Sequence, residues 1–216
     1  MSARLLATLS CLLSIALCTG RAEPVIPPSH TLVVYLSTVP HQPAQPVQEM
    51  QREVETLMLT AGYHVAWRND TEPKRNVNDA SVVVLKLRGI CQAPERPAAV
   101  EPLRKSVSLA STAVVDGEVL PFSWLECESL TRLLAPSLSK ESSGKRDYLY
   151  GRAMGRLVAH ELLHVLSKTG THDDAGVGKP SFSAQDVLQE RFEFEPASIA
   201  SFASPELDSE DGAIGR

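Results

Sequence analysis

Residues 157–172 read Leu-Val-Ala-His-Glu-Leu-Leu-His-Val-Leu-Ser-Lys-Thr-Gly-Thr-His, and this stretch decides the fold. Its apolar residues recur at the spacing of a broad helical face, which predicts a largely buried helix. We expect the helix to begin near Arg146 and to stop near Lys168, with Gly170 as its natural terminator.

Two histidines and a glutamate interrupt the apolar face of this helix. His160 and His164 are four residues apart, so they share a face and can offer two imidazole nitrogens to one metal ion. Glu161 lies beside them, where a carboxylate can take a proton from water activated by a metal. The H-E-x-x-H pattern is typical of zinc hydrolases, most often peptidases. Burying these side chains without a partner such as a metal would be costly.

The third metal ligand is predicted to be His172, because three protein ligands and one water form the open pattern of a catalytic zinc site. Rival third ligands stay open at this point. They are Asp173, Asp174, Glu190 and Glu193, of which the two glutamates would bring the ligand from a downstream helix. Asp173 and Asp174 are also candidates for hydrogen bonds to the far nitrogens of the histidines.

Composition and charge limit the function classes. The chain has 216 residues, enough for one domain with a sizeable core, which we expect to span residues 23–203. A formal net charge of −5 and a pI near 5.7 argue against a nucleic-acid binder. Residues 204–216 are acidic and small, and they predict a disordered tail.

The amino terminus predicts export. Arg4 precedes an apolar run from Leu5 to Cys18, and small residues follow up to Ala22, so residues 1–22 are interpreted as a signal peptide. The run is too short to span a bilayer comfortably, and we expect no membrane span in the mature chain. The predicted location is therefore secreted or periplasmic.

Export changes how the cysteines are interpreted. The mature chain would keep only Cys91 and Cys127, and two cysteines in an oxidising compartment are expected to pair. Such a bridge would close a loop of about 36 residues and contribute on the order of 3–4 kcal/mol.

Hydrophobic periodicity predicts five strands and three further helices. The near-continuous apolar run of 80–87 predicts a central strand buried on both faces. The predicted strands are 31–36, 63–67, 80–87, 106–115 and 118–125, and the further helices are 46–61, 128–134 and 183–191.

Local signals refine this order. Asp116-Gly117 predicts a hairpin turn, and Pro121 indicates an edge strand or a bulge. Pro136 is expected to end its helix, and Ser183 with Asp186 predicts a capping box. A strand–helix–strand start implies a parallel pair. The predicted fold class is α+β, a mixed twisted sheet packed on the long helix that carries the motif.

The element order and the His160-Glu161-x-x-His164 motif resemble the zincin metallopeptidases, and among them the metzincin-like catalytic domain. Residues 157–195, with 120–123 and 126–127, also resemble a group of small exported bacterial proteins predicted to be metallopeptidases. The resemblance implies one Zn²⁺ per chain, Glu161 as general base and a peptide or protein substrate. It also implies that strand 106–115 binds an extended peptide by strand addition.

The chain departs from the metzincin pattern in two places. The family's third histidine follows the second by six residues, whereas His172 follows His164 by eight. An additional helical turn ending at Gly170 would return His172 to the metal. Metzincins also place a methionine turn beneath the metal, but no methionine follows Met154, so Gly176–Pro180 is the segment expected to fill that space.

Two functions follow from these features. The first is a secreted zinc metalloendopeptidase, which the retention of Glu161 favours. The alternative is a non-catalytic zinc-binding or interaction module that keeps a zincin fold, which the missing methionine turn favours. The sequence does not fix an oligomeric state.

Overall fold

A computed structural model describes residues 30–72, 80–94 and 108–202. The predicted signal peptide (1–22) and acidic tail (204–216) lie outside these residues, as does the start of the predicted strand 106–115. None of the helices in the described ranges has the length and apolar character needed to cross a bilayer.

A five-stranded mixed sheet forms one layer of the fold, which confirms the α+β class. The strand order is β2-β1-β3-β5-β4, in which only β4 runs antiparallel to its neighbour. The pair β1 and β2 is parallel and joined through a helix, as predicted. The strands are β1 (His30–Ser37), β2 (Tyr63–Asn69), β3 (Ala80–Arg88), β4 (Ala110–Val115) and β5 (Glu118–Glu126).

Helices pack against the sheet, and the long predicted helix is the central one. It is α3 (Ser143–Ser167), and it contacts α1, β4 and β5. The others are α1 (Ala44–Thr60), α2 (Cys127–Leu138), α4 (Ala184–Leu188) and α5 (Pro196–Ser201), and Gly176–Gly178 forms one turn of 3₁₀ helix.

The central strand is β3, as predicted, but the prediction that both its faces are buried is wrong. Val83, Leu85 and Leu87 join the helix-covered core, while Val82 and Lys86 on the opposite face are exposed. Successive side chains of a strand point to opposite faces, so the apolar run supplies residues to both faces, although the helical layer covers only one.

The β4–β5 hairpin has the predicted turn and the predicted bulge. Asp116 and Gly117 both have positive φ, 51° and 84°, which a type I′ turn requires. The register shifts between Thr112 and Val114, opposite the part of β5 that contains Pro121. Pro121 is therefore accommodated at an irregularity of an inner strand, and β4 is the edge strand next to it.

Two helix ends differ from the sequence prediction. α2 continues through Pro136 to Leu138, because a proline in the last turn removes only one backbone donor. α4 begins at the predicted Ser183–Asp186 capping box but ends at Leu188, not at 191. The α5 helix was not predicted.

The structure pairs Cys91 with Cys127, as expected, with 4.7 Å between their Cα atoms. Both residues are fully buried. The bridge links the segment after β3 to the first residue of α2, which directly follows β5.

Two glycines allow α3 to approach α1 closely. A Cβ atom on Gly155 would lie 2.6 Å from Cβ of Glu53 and 2.8 Å from the carbonyl oxygen of Met50. A Cβ atom on Gly151, one turn earlier, would meet Glu49 and the backbone of Pro46 in the same way. The contact therefore requires residues without side chains at these positions.

We predict that Gly155→Ala lowers the free energy of unfolding by about 1–3 kcal/mol, because the added methyl group overpacks the helix contact. Gly144→Ala, near the start of the same helix with no atom within 4 Å of its added Cβ, is the matched control and should be neutral or slightly stabilising. Denaturant unfolding of both variants measures the difference, and equal stabilities would contradict this account of the packing.

Candidate metal centre

The end of α3 places the three histidines of the motif region together. His160 and His164 are buried in its last two turns, and the helix ends at Ser167 with Lys168 in the left-handed conformation, φ 51°. The chain then reverses, so that ligand atoms of His160, His164 and His172 all lie within 4.8 Å of one another. The expected extra helical turn ending at Gly170 is wrong, because the break falls at Lys168 and the two additional residues lie in the return loop.

Backbone carbonyls fix the orientation of the two helical imidazoles. Nδ1 of His160 lies 2.7 Å from the carbonyl oxygen of Val177, and Nδ1 of His164 lies 2.8 Å from that of Thr169. A carbonyl oxygen only accepts hydrogen bonds, so each Nδ1 carries a proton and donates it. In a neutral ring the Nε2 atom is then left with a lone pair.

The two Nε2 atoms face each other at 3.1 Å. Burial lowers the pKa of His160 to about 4, even though its bond to Val177 opposes the shift, and burial also lowers the pKa of His164. Both rings are therefore neutral near pH 7, and two lone pairs point at one place with no proton between them. A cation resolves this arrangement, because two nitrogens on a tetrahedral Zn²⁺ lie about 3.3 Å apart.

The three histidines could therefore hold a metal ion, and they form the one such group found within the described parts of the chain. The group consists of two buried residues, His160 and His164, and the exposed His172, and the alternative ligands Asp174 and Glu190 do not belong to it.

Two hydrogen bonds of the neighbouring residue, Asp173, fix the loop that carries His172. The backbone N–H of Asp173 donates to the carbonyl oxygen of Gly178 at 2.8 Å, and the carboxylate of Asp173 accepts a hydrogen bond from the Ser198 hydroxyl of α5. A Cβ atom on Gly178 would collide with the Asp173 side chain. Asp173 therefore anchors the loop to α5. It is not a partner of the far nitrogens of His160 and His164, for which the sequence makes it a candidate, because those Nδ1 atoms bond to backbone carbonyls.

The segment expected beneath the metal site is in contact with it. Val177 is fully buried in the 3₁₀ turn, and its N–H donates to the carbonyl oxygen of Glu193 at 2.9 Å. Its own carbonyl is the partner of His160. Gly176 has φ 62°, and a Cβ atom there would strike the Glu193 carbonyl, so this turn requires glycine.

Glu161 is buried beside the histidines with only 4% of its surface exposed. Its Oε2 accepts a hydrogen bond of 2.7 Å from the Thr112 hydroxyl of β4. Burial raises the pKa of the Glu161 carboxyl to about 7, and the bond from Thr112 partly opposes that rise.

A buried arginine fixes the helix one turn before the first histidine. Arg156 is 1% exposed, and its Nε lies 2.7 Å from Oε1 of Glu53 on α1. It also donates to the carbonyl oxygens of Val187 and Gln189, at 3.1 and 2.6 Å. Val187 and Gln189 lie at the end of α4, so these bonds satisfy carbonyl groups where that helix ends.

Two cavities reach the candidate site. One of about 350 Å³ is bounded by His160, Glu161 and apolar side chains, among them Leu109, Leu157 and Phe182. The other, of about 260 Å³, is lined by all three histidines together with Thr112 and Glu161. The buried motif is therefore open to solvent-borne molecules on the side of β4.

Several residues of the site had no signal in the sequence. Val177 and Thr169 act through their backbone carbonyls, which every residue has. Their roles therefore depend on the path of the backbone and not on their side chains. Thr112 lies 49 residues before Glu161, and only the register of the hairpin reveals that it reaches the glutamate.

We predict that His172→Ala weakens zinc binding by more than about 100-fold. Loss of a residue that only hydrogen-bonds a metal ligand costs roughly 10–100-fold, and loss of a ligand itself should cost more. His64→Ala, an exposed histidine on β2, is the matched control and should bind zinc as the unaltered chain does. Competition titration against a chelator of known affinity measures both. Unchanged affinity in His172→Ala would instead assign the third ligand to a residue such as Asp174 or Glu190.

Comparison with protein-family models finds none that matches this chain, and comparisons with curated proteins and with solved structures likewise find no match.

Proposed function

We propose that this protein is an exported zinc-dependent endopeptidase. The observation that carries the proposal is the pair of Nε2 atoms of His160 and His164, 3.1 Å apart, with the carboxylate of Glu161 next to His160 on the same helix. A structural metal site needs only its ligands, so a buried carboxylate that is not a ligand favours a catalytic site.

Each residue of the motif has a role in this proposal. His160, His164 and His172 hold one Zn²⁺, which when bound supplies a Lewis acid and lowers the pKa of coordinated water to about 7. Glu161 accepts the proton of the attacking water and passes it to the nitrogen of the leaving amine. Burial supports this role, since it raises the pKa of the Glu161 carboxyl and so makes the carboxylate a stronger base.

The surroundings of the motif suit an extended peptide. β4 is an edge strand of the described sheet and contributes residues to both cavities. Its outer backbone groups would pair with a substrate strand, as in other cases of strand addition. The cavity bounded by Leu109, Leu157 and Phe182 favours an apolar side chain next to the scissile bond.

Export belongs to the same proposal. Residues 1–22 would be removed as a signal peptide, leaving a domain of residues 23–203 and an acidic tail in a secreted or periplasmic protein. The Cys91–Cys127 pair supports an oxidising compartment, where disulfides persist.

The test is hydrolysis of a peptide library rich in apolar residues by the purified chain that begins at Glu23. We expect Glu161→Gln to lower kcat by about 10²–10⁴-fold while zinc stays bound, because the amide keeps the size of the side chain but cannot accept the proton. Glu128→Gln, with 84% of its side chain exposed on α2, is the matched control and should leave kcat unchanged.

Two results would contradict the proposal. Full activity in Glu161→Gln would show that the hydrolysis does not use this site. No hydrolysis by the zinc-loaded unaltered chain would favour the alternative, a non-catalytic zinc-binding or interaction module.

A further inference from the structure

Thr112 makes the one side-chain hydrogen bond to the Glu161 carboxylate among the described residues. The hydroxyl lies 2.7 Å from Oε2 of Glu161 and 3.3 Å from the backbone carbonyl oxygen of the same residue. It also lies 2.9 Å from the hydroxyl of Ser123 on β5. The contact therefore joins the edge of the sheet to the motif helix.

Proton counting fixes the direction of these bonds. When the Glu161 carboxylate is ionised it only accepts hydrogen bonds, and Thr112 then donates its single hydroxyl proton to it. The bond between the two hydroxyls must then run from Ser123 to Thr112. Ser123 is 1% exposed and is paired with Thr112 in the β4–β5 register, so its hydroxyl is held in place by the sheet.

The sheet register makes this contact specific to one strand position. Side chains alternate along β4 up to the bulge, so Thr112 points to the helix-covered face, as its partner Ser123 does, while Ser111 points away. Among the described residues no hydrogen bond reaches Oε1 of Glu161, so Thr112 holds one carboxylate oxygen and leaves the other for chemistry.

We propose that Thr112, supported by Ser123, is a positioning residue that fixes the Glu161 carboxylate for proton transfer. This inference rests on the proposed peptidase function for its kinetic consequence, but the contact itself is independent of it. Losing the hydroxyl frees the carboxylate to rotate, and general base catalysis depends on a fixed approach to the proton.

The first test needs no activity. On the purified mature chain we expect Thr112→Val to lower the Tm by about 3–10 °C, the range for losing a hydrogen bond to a charged group in a protein of this size. In a Glu161→Ala background the same substitution should lower the Tm by less than half as much. Equal shifts of the Tm in the two backgrounds would show that the Thr112 side chain does not stabilise the fold through Glu161, and would overturn the proposal.

Thr131→Val is the matched control for this cycle. Its hydroxyl bonds to the Tyr150 hydroxyl and the Cys127 carbonyl, away from the motif, so its effect on the Tm should be the same in both backgrounds. If Thr112→Val does not fold, Thr112→Ala and Ser123→Ala carry the same comparison.

The second test is kinetic. We expect Thr112→Val to lower kcat by about 10–100-fold, with KM and bound zinc nearly unchanged, and Thr112→Ser to restore kcat to within a few-fold of the unaltered chain. Thr131→Val should leave kcat unchanged despite its lower Tm.

The outcomes separate the two proposals. A value of kcat for Thr112→Val within twofold of the unaltered chain, or no rescue by Thr112→Ser, would overturn the positioning role while leaving the peptidase proposal intact. If the unaltered chain does not hydrolyse peptides, the peptidase proposal fails, and the Tm cycle alone decides whether Thr112 holds Glu161.

Discussion

The candidate metal centre depends on one electrostatic constraint: the Nε2 atoms of two buried imidazoles face each other at 3.1 Å. Neither ring can rotate away, because Val177 and Thr169 hold the opposite nitrogens through backbone carbonyls. A positive charge at the point where the lone pairs converge would stabilise such an arrangement. The return loop after α3, the 3₁₀ turn and the short C-terminal helix all serve to keep this geometry, since each supplies either a carbonyl or an anchor.

The rest of the molecule fixes the helix that carries these imidazoles. Gly151 and Gly155 bring α3 into close contact with α1, and Arg156 ties it to Glu53 and to the carbonyls of Val187 and Gln189 at the end of α4. A buried arginine is tolerated here because its donors meet one carboxylate and several carbonyl oxygens. The helix is thus held from two sides immediately before its first histidine, so small shifts of the loops leave the motif in place.

The sequence predicted the parts of the structure that depend on local pattern. The motif helix, the parallel start, the hairpin turn at Asp116 and Gly117, and the pairing of Cys91 with Cys127 follow from periodicity, turn chemistry and compartment. It could not predict features set by tertiary contacts. The chain reverses after Lys168 and returns His172 without an extra helical turn, α4 ends where Arg156 binds the carbonyls of Val187 and Gln189, and Thr112 meets Glu161 only through the sheet register.

The most direct test of the central claim is the metal content of the purified mature chain, determined by elemental analysis on protein that has never met a chelator. We expect about one zinc per chain, because the ligand atoms of three histidines lie within 4.8 Å of one another. A folded chain that contains no metal, and still binds none after zinc is added, would contradict it.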